Sequence, residues 1–236
     1  MRLVAWNANH NRRRRSLDAN VALMEPFGAD ILVLSETAGP RSKPSDVHWI
    51  GGLDPGLAVV APKGLKLLPH PGNFAAETHM GAFTASGQVT FNLLALWPVQ
   101  RRVSSYHHIL MSALDRYADF LVADRVIMAG DLNSTSRVSS QRASHPLFVK
   151  RAQELGLVSA YHEQTGEGHG DETVATYLHN CDSTRGFHID YCFITNALKA
   201  SAKLLIKNDA EWAARSDHFP LVLDVDDGVL RPPPPR

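Results

Sequence analysis

Polar side chains that could carry out hydrolytic chemistry interrupt or end several apolar segments of this 236-residue chain. Five such segments contribute, in chain order, Asn7 with Asn9, Glu36, Asp131 with Asn133, Asp190, and Asp217 with His218. A carboxylate in an apolar segment loses hydration, so it must be paired with another group or bind a cation. Acidic, amide and imidazole groups gathered from several segments therefore indicate a cation-binding hydrolytic cluster.

Each segment also has an ordinary explanation when it is considered alone. Asn7 could be a turn residue, Glu36 an exposed acid, and Gly130-Asp131 a simple turn. The Asp217-His218 pair could cap a strand. Asp190 is harder to explain, because its neighbours are Ile, Tyr, Cys and Phe, although it could pair with a structural arginine or a backbone donor.

The elements that would position these residues are short strands that alternate with helices, a pattern typical of layered α/β proteins. The clearest predicted strands are 2–6, 31–35, 57–61, 89–96, 125–129, 188–194 and 220–225. Each polar segment either ends one of these strands, lies within one or immediately precedes one. The pattern therefore predicts that strand ends gather the polar residues.

Three helices are predicted between the strands. Ser16 can cap the first, which ends before Pro26, and the second covers roughly 104–121. The third begins near Ser144 and ends at Gly156. The predicted loops, which are rich in Gly, Pro, Ser, His or Asn, are 38–56, 69–80, 134–144 and 162–174.

Length and composition favour one domain over residues 1–228, followed by a flexible proline-rich tail over 229–236. The 24 Lys and Arg balance the 24 Asp and Glu, so no global basic field identifies a nucleic-acid-binding protein. There is no charged-then-apolar leader and no apolar run of about 18 residues. Together with only two cysteines, which could still form one bridge, this favours a monomeric cytoplasmic protein without a membrane partner.

Twelve histidines raise the question of a zinc site. His107 and His108 are adjacent and would diverge on a helix, and His162, His169, His179 and His188 do not form a compact His-x₃-His pair. Zinc is therefore the less favoured metal.

In their order, the five segments resemble the motifs of the endonuclease/exonuclease/phosphatase superfamily, which includes exonuclease III-like apurinic endonucleases and DNase I-like nucleases. The matching motifs are Trp6-Asn7, Leu34-Ser35-Glu36, Gly130-Asp131-Leu132-Asn133, Thr176-Tyr177, Gly186 to Tyr191, and Ser216-Asp217-His218. Gly-Asp-Leu-Asn and Ser-Asp-His are the most diagnostic. The resemblance implies a four-layer α/β sandwich, in which two packed mixed β-sheets are flanked by helices and the active site lies at the strand-end rim.

The resemblance also implies the chemistry. Mg²⁺, with Mn²⁺ able to substitute, would be bound by Glu36, Asn9 and Asp217. The catalytic residues would be Asn7, Asp131, Asn133, Asp190 and His218. Asp131 would orient or deprotonate the attacking water, and Asp190 would hold the His218 imidazole beside a phosphoryl oxygen.

Two positions depart from the pattern of the superfamily. Exonuclease III-like members carry Asn-x-Asp after the first strand, whereas this chain has Asn9 in place of the acid, which leaves metal affinity and stoichiometry open. The family places Tyr or His after its central strand, where this chain has Trp97 with only an indole N–H to donate. His107 or His108 could substitute, but histidines on a helix face are more often structural.

The substrate favoured by the resemblance is DNA. Candidate contacts are Arg12, Arg13, Arg14, Arg15, Trp97, Arg101 and Tyr177. The arginine run could equally be a solvated loop, and Trp97 could equally be a core residue. The predicted function is a DNA endonuclease or 3′-5′ exonuclease; the alternatives are a phosphodiesterase or phosphatase of small esters, and a catalytically silent nucleic-acid-binding protein.

Overall fold

The computed structural model describes residues 1–42, 44–51, 55–73, 79–100 and 105–231. Its strands are β1 Arg2–Asn7, β2 Ile31–Thr37, β3 Val47–Ile50, β4 Gly56–Val60, β5 Lys66–Pro69, β6 Met80–Ser86, β7 Phe91–Leu96, β8 Val126–Asp131, β9 Leu157–Ser159, β10 Tyr177–Leu178, β11 Gly186–Phe187, β12 Asp190–Thr195, β13 Ala202–Ile206 and β14 Leu221–Val225. Its α-helices are α1 His10–Arg13, α2 Leu17–Met24, α3 Tyr106–Arg116, α4 Ala118–Leu121, α5 Ser144–Glu154, α6 Ala160–Thr165, α7 Ala210–Ala213 and α8 Asp227–Leu230.

Two six-stranded sheets pack against each other. The first has the order β13-β14-β1-β2-β4-β3, and the second has the order β5-β6-β7-β8-β12-β9. The pairs β1 with β2 and β7 with β8 are parallel, and the other pairs within the two sheets are antiparallel. Helices cover the outer faces, so the predicted four-layer sandwich of mixed sheets is confirmed.

The central strands are apolar at nearly every position because both of their faces are buried. On β1, Leu3 and Ala5 pack in the core between the sheets, whereas Val4 and Trp6 pack on the other face. The two faces of β8 divide in the same way between the inter-sheet core and the core beneath α3 and α5. Successive side chains of these strands point into two different buried layers, so nearly every position is apolar. This continuous apolar run is why the sequence predicted these strands.

All seven predicted strands are present, with small shifts at their ends. Most of the strands that the sequence did not predict lie at sheet edges, namely β3, β5, β9 and β13, or form the two-residue pair β10-β11. The exception is β6, a seven-residue interior strand between β5 and β7. In β5 only Leu67 is buried, and in β13 only Leu204 is, so neither segment carries a strong periodic signal. β3 lies inside the predicted loop 38–56, and α6 overlaps the start of the predicted loop 162–174.

The first predicted helix begins at its predicted cap. The Ser16 hydroxyl accepts a hydrogen bond from the backbone N–H of Ala19 at 3.2 Å. The predicted helix over 104–121 is two helices, α3 and α4, which meet at Tyr117 with φ −102° and ψ 17°. Residue 104 lies outside the described residues.

The predicted boundary at residue 228 falls inside α8. Leu230 is fully buried, and its carbonyl accepts a 2.7 Å hydrogen bond from the backbone of Thr90, so the packed fold continues to this helix. Residues 232–236 of the predicted tail lie outside the described residues.

Cys181 and Cys192 are both free, which answers the question of a bridge. Within the described ranges, no helix has the length and apolar content to cross a bilayer.

Candidate active site

Strand ends from both sheets meet at the polar cluster that the sequence predicts. Asp131 ends β8 and is the register partner of Asp190, which begins β12. In the other sheet, Asn7 ends β1 beside Ser35, the residue before Glu36 on β2. Because the two sheets pack face to face, these ends converge at one edge of the sandwich.

Asp131 is the centre of this cluster and is 1% exposed. One of its carboxylate oxygens accepts from the Asn7 side-chain amide at 2.9 Å and from the Asn133 side-chain amide at 3.1 Å. The other accepts from the Asn133 backbone N–H at 2.8 Å. Burial and the nearby charge of Asp190 raise the pKa of Asp131 to about 7, although these hydrogen bonds and His218 oppose the rise. Such a carboxyl group can accept a proton near neutral pH.

His218 and Asp190 form a buried pair beside Asp131. The imidazole Nδ1 lies 2.9 Å and 3.1 Å from the two Asp190 carboxylate oxygens. Burial lowers the pKa of His218, but the charges of Asp190 and Asp131 outweigh it and raise that pKa to about 10. The imidazole is therefore protonated at neutral pH, with its Nε2 N–H available as a charged donor.

The backbone around this pair is held by three hydroxyl and indole groups. The Thr176 hydroxyl accepts from the backbone N–H of Asp190 at 3.0 Å. The Ser216 hydroxyl donates to the Asn7 carbonyl at 2.8 Å and accepts from the His218 backbone N–H at 3.2 Å, and the Trp6 indole N–H donates to the His218 carbonyl at 3.0 Å. These bonds give Trp6, Thr176 and Ser216 a supporting role beside the cluster.

The three predicted metal-binding residues lie at the same edge. The Asn9 side-chain amide donates to the Asp217 carboxylate at 2.7 Å, and its backbone N–H donates to the Asn7 side chain at 2.9 Å. Glu36 lies in an irregular stretch of β2 where the register with β4 shifts. Burial raises the pKa of Glu36. The charge of Asp217 raises this pKa further, whereas the charge of His218 opposes the rise. Asn9 thus orients Asp217, and its own contact with a metal stays a prediction.

Left-handed backbone occurs at three of the site residues. The φ angles are 48° at Asn9, 46° at Glu36 and 51° at Asn133. This region is unfavourable for residues other than glycine, and it is retained at functional sites when it aims a side chain. Its occurrence at three separate segments of one cluster supports a site shaped for function.

The donor set fits a divalent cation. The carboxylates of Asp131 and Asp190 lie together, and Glu36 and Asp217 add two further carboxylates, whereas protonated His218 has no lone pair to offer a cation. Burial raises the pKa of both Glu36 and Asp131, so a bound cation would stabilise their ionised forms. Hard oxygen ligands of this kind are those that Mg²⁺ prefers.

Gly130 determines how closely β8 approaches β7 before Asp131. Its φ is 143°, and a Cβ atom built there would lie 1.9 Å from the Leu96 carbonyl oxygen. Only glycine fits at this position, which accounts for the first residue of the Gly-Asp-Leu-Asn motif.

A cleft of about 450 Å³ adjoins the cluster and was not foreseen from the sequence. It is lined in part by Tyr106, Asn133, Tyr177, His179, Arg185 and Phe187. The predicted contact Tyr177 lies here, with its ring 4.6 Å from that of His218. Tyr106 begins α3, and burial together with the charges of Asp131 and Glu36 raises the pKa of its hydroxyl. A tyrosine directly after the Ser105 helix cap was the available signal, and it immediately precedes His107 and His108, which were considered instead.

Two of the predicted substrate contacts are enclosed by the fold. Trp97 is wrong as a stacking residue, because it is 5% exposed within the inter-sheet core and its ring contacts His79 at 4.8 Å. Arg15 is also wrong, because its guanidinium donates to Asn20, to the Ala8 carbonyl and to the Arg215 carbonyl, at 2.8 to 3.1 Å.

The remaining arginines follow directly on Asn9. Arg12, Arg13 and Arg14 are exposed on and beside α1, and Arg12 donates to the Cys181 sulfur at 2.8 Å. Their contact with substrate stays a prediction. Arg101 lies outside the described residues.

Known structures share this architecture over nearly the whole chain. A 3′-5′ exonuclease, NExo, from Neisseria meningitidis superposes with a TM-score of 0.72 at 20% identity, covering 96% of this chain and 100% of its own. A 3′ phosphatase structure of NExo from Neisseria, bound to a product DNA hairpin, gives a TM-score of 0.69 at 20% identity and covers 96% and 99%. An AP endonuclease from Archaeoglobus fulgidus gives 0.67 at 19% identity and covers 96% and 99%.

At such identities these structures support the fold alone. Comparison with curated proteins finds no match. The model of the endonuclease/exonuclease/phosphatase family matches residues 4–218, a range that contains every residue of the strand-end cluster. The chain therefore belongs to the endonuclease/exonuclease/phosphatase family.

Proposed function

We propose that the chain is a Mg²⁺-dependent nuclease that hydrolyses phosphodiester bonds in DNA. The observation that carries this proposal is the juxtaposition of Asp131, a buried carboxylate that accepts hydrogen bonds from two asparagine side chains, with the buried His218-Asp190 pair. One group is suited to accept a proton from water, and the other is suited to stabilise negative charge on a phosphoryl oxygen.

In this mechanism Asp131 accepts a proton from the attacking water, while Asn7 and Asn133 fix the carboxylate. The water oxygen bonds to phosphorus, and the bond from phosphorus to the leaving oxygen breaks without a covalent enzyme intermediate. Protonated His218, held by Asp190, donates to the phosphoryl oxygen as its charge grows.

Glu36 and Asp217 would hold the divalent cation, with Asn9 keeping Asp217 in place. The bound ion supplies Lewis-acid stabilisation of the phosphoryl oxygen and of the leaving group. Mn²⁺ has the same preference for oxygen ligands and should substitute.

Two surfaces support a nucleic acid as the substrate. Exposed Arg12, Arg13 and Arg14 follow directly on Asn9 and could contact phosphates that flank the scissile bond. On another side, the cleft offers Tyr177 and Phe187 for stacking beside Arg185. The NExo structure bound to a product DNA hairpin supports the same substrate class for this scaffold.

A 3′-phosphatase activity is the second candidate. The same NExo structure is described as a 3′ phosphatase, and the balanced charge of this chain favours a substrate that needs few phosphate contacts. Both activities use the same residues, because each breaks a bond from phosphorus to oxygen.

A panel of end-labelled substrates tests these proposals. It contains single-stranded, double-stranded, abasic and 3′-phosphorylated DNA, RNA, and small phosphate esters, each with Mg²⁺, Mn²⁺ or EDTA. We expect cleavage of DNA with either metal and none with EDTA. Hydrolysis of the small esters alone would overturn the nuclease proposal, and DNA binding without turnover of any substrate would establish a non-catalytic protein.

A further inference from the structure

A second cluster of metal-binding side chains lies outside the candidate active site, between α5, α6 and the segment that follows α6. Ligand atoms of His162, His169 and Glu172 lie within 4.8 Å of one another. His145 on α5 and His188 before β12 flank them, with ring centroids 5.2 Å from His169 and 5.8 Å from His162 respectively. Their irregular spacing in the sequence argued against zinc, but the fold brings them together.

Each imidazole of this cluster is oriented by a neighbour. His162 uses Nδ1 to contact the Ser159 hydroxyl at 2.8 Å, which turns Nε2 towards Glu172 at 3.3 Å. His169 Nδ1 lies 3.2 Å from His145 Nε2, and the other nitrogen of His145 lies 2.9 Å from the Ser134 hydroxyl. Outer hydrogen bonds of this kind fix the ring orientation of metal-binding histidines.

Two deeply buried atoms of the cluster lack a hydrogen-bond partner among the described residues. The Glu172 side chain is 1% exposed; its Oε1 accepts from the Gly170 backbone N–H at 3.0 Å, but its Oε2 has no partner. His188 is 1% exposed and must donate its Nδ1–H to the Val174 carbonyl, 3.0 Å away, because a carbonyl only accepts. Its Nε2 therefore carries a lone pair that also has no partner. Leaving such atoms unpaired in the protein interior is unfavourable.

The Glu172 carboxylate is 1% exposed among the surrounding imidazoles, an environment that a divalent cation would stabilise.

We propose that His162, His169 and Glu172 bind one divalent transition-metal ion of the Zn²⁺ type, with His188 beside the remaining coordination position. The separation of 3.3 Å between His162 Nε2 and Glu172 Oε1 is close to the separation of about 3.4 Å between two ligands of a tetrahedral zinc with bonds of about 2.0–2.1 Å. The rings of His162 and His169 stack with centroids 3.6 Å apart, so one of them would rotate about its side-chain bonds for both to coordinate the same ion. Imidazole nitrogens select such metals over Mg²⁺, which distinguishes this site from the oxygen-rich strand-end cluster.

Such an ion would have a structural role. It would join α6 to the segment that carries His169 and Glu172 and continues to Thr176. Thr176 holds the backbone of Asp190. The metal would therefore stabilise the support of the His218-Asp190 pair without contacting substrate.

Metal binding to the full chain tests this proposal directly. Zn²⁺ is titrated into metal-stripped protein in excess Mg²⁺ by calorimetry, and Co²⁺ is titrated in parallel and followed by visible absorption. Glu36→Gln removes an active-site carboxylate. Glu163→Gln is the matched surface control, because Glu163 lies on the same helix as His162 but forms an ion pair with Lys199. We expect one Zn²⁺ per chain and a raised Tm for the wild type and for both of these variants.

Glu172→Gln and His169→Gln should weaken Zn²⁺ binding by about 10–100-fold or more and lose the rise in Tm. Their folding is checked by circular dichroism. Zinc binding by Glu172→Gln equal to that of the wild type would overturn the proposal. If both variants unfold, the Co²⁺ spectrum of Glu36→Gln decides: bands of a low-coordinate imidazole site support the proposal, and their absence overturns it. Neither result depends on whether the chain cleaves DNA.

Discussion

The side-chain amide of Asn7, at the end of β1, donates a 2.9 Å hydrogen bond to the carboxylate of Asp131, at the end of β8. These strands belong to different sheets, so the bond joins the two halves of the sandwich at the candidate active site. The position of the proposed proton acceptor therefore depends on the packing of the whole fold.

Replacing Asn7 with alanine should lower kcat about 10²-fold, because Asp131 loses a donor that orients it. Steady-state cleavage of labelled DNA measures this change, with Tm followed in parallel. Asn92→Ala is the matched control, since Asn92 lies at the far end of β7 and donates to the Phe120 carbonyl. It should reduce stability while kcat stays unchanged. Equal losses of kcat in the two variants would contradict a specific role for Asn7.

Tyr106→Phe should reduce kcat about tenfold with little change in Tm, since the hydroxyl faces the charges of Asp131 and Glu36 and is available to a phosphate. Tyr117→Phe is the comparison, because its hydroxyl donates instead to Asn73 at 3.0 Å, away from the cluster. That variant should lose stability by about 1 kcal/mol and retain its kcat. Full activity of Tyr106→Phe would exclude the hydroxyl from the reaction.

Gly130→Ala should destabilise the fold by about 3 kcal/mol or more, because the new Cβ would collide with the Leu96 carbonyl of the neighbouring strand. Gly64→Ala separates this clash from the effect of backbone conformation. Gly64 has a φ of 74°, and a Cβ added there would meet no atom within 4 Å, so a loss of only about 1–2 kcal/mol is expected. Urea denaturation measures both variants, and similar losses would show that the close approach of β7 and β8 does not matter.

The Arg2-Asp224 ion pair should make a small, pH-dependent contribution to stability. Its two hydrogen bonds, of 2.7 and 2.9 Å, join β1 to β14, and the bond from Arg2 lowers the pKa of Asp224. A lowered carboxyl pKa stabilises the fold above the unfolded value of about 3.9, and that contribution is lost as the pH falls through the folded value. Both side chains are more than 40% exposed, so Asp224→Asn should cost less than about 1 kcal/mol at pH 7.

Urea denaturation at pH 7 and at about pH 2.5 checks this dependence. The difference in unfolding free energy between wild type and Asp224→Asn should become smaller at the lower pH, as the folded-state carboxyl takes up a proton. Asp119→Asn, at an exposed position on α4, should match the wild type at both values. A difference that grows as the pH falls would have the wrong sign for this ion pair.

The parts of the site that the sequence predicted are those where a polar residue interrupts an apolar strand. Asp190 could be identified because a buried strand tolerates a carboxylate only when something compensates it, whereas Asp131 was recognised through the Gly-Asp-Leu-Asn motif. Tyr106, Arg185 and Phe187 could not, since they reach the cleft from a helix start and a short hairpin whose positions depend on tertiary packing.

Tertiary packing also explains why two of the predicted substrate contacts were wrong. Trp97 follows a strand in the sequence, but only the packing of the two sheets shows that its ring lies in the core. Arg15 belongs to a basic run that suggests phosphate binding, but the fold surrounds its guanidinium with backbone carbonyls. The sequence predicted interior strands whose two faces are both buried, because they are apolar throughout. It did not predict β5 and β13, since each buries a single residue.

The most direct test of the central claim is single-turnover cleavage of a labelled DNA oligonucleotide by wild type and Asp131→Asn with saturating Mg²⁺. The amide keeps the size of the carboxylate but cannot accept a proton from water, so the rate should fall about 10²–10⁴-fold while Tm and DNA affinity are retained. Addition of EDTA should abolish the wild-type rate. Cleavage by Asp131→Asn at the wild-type rate would contradict the assignment of Asp131 and the mechanism built on it.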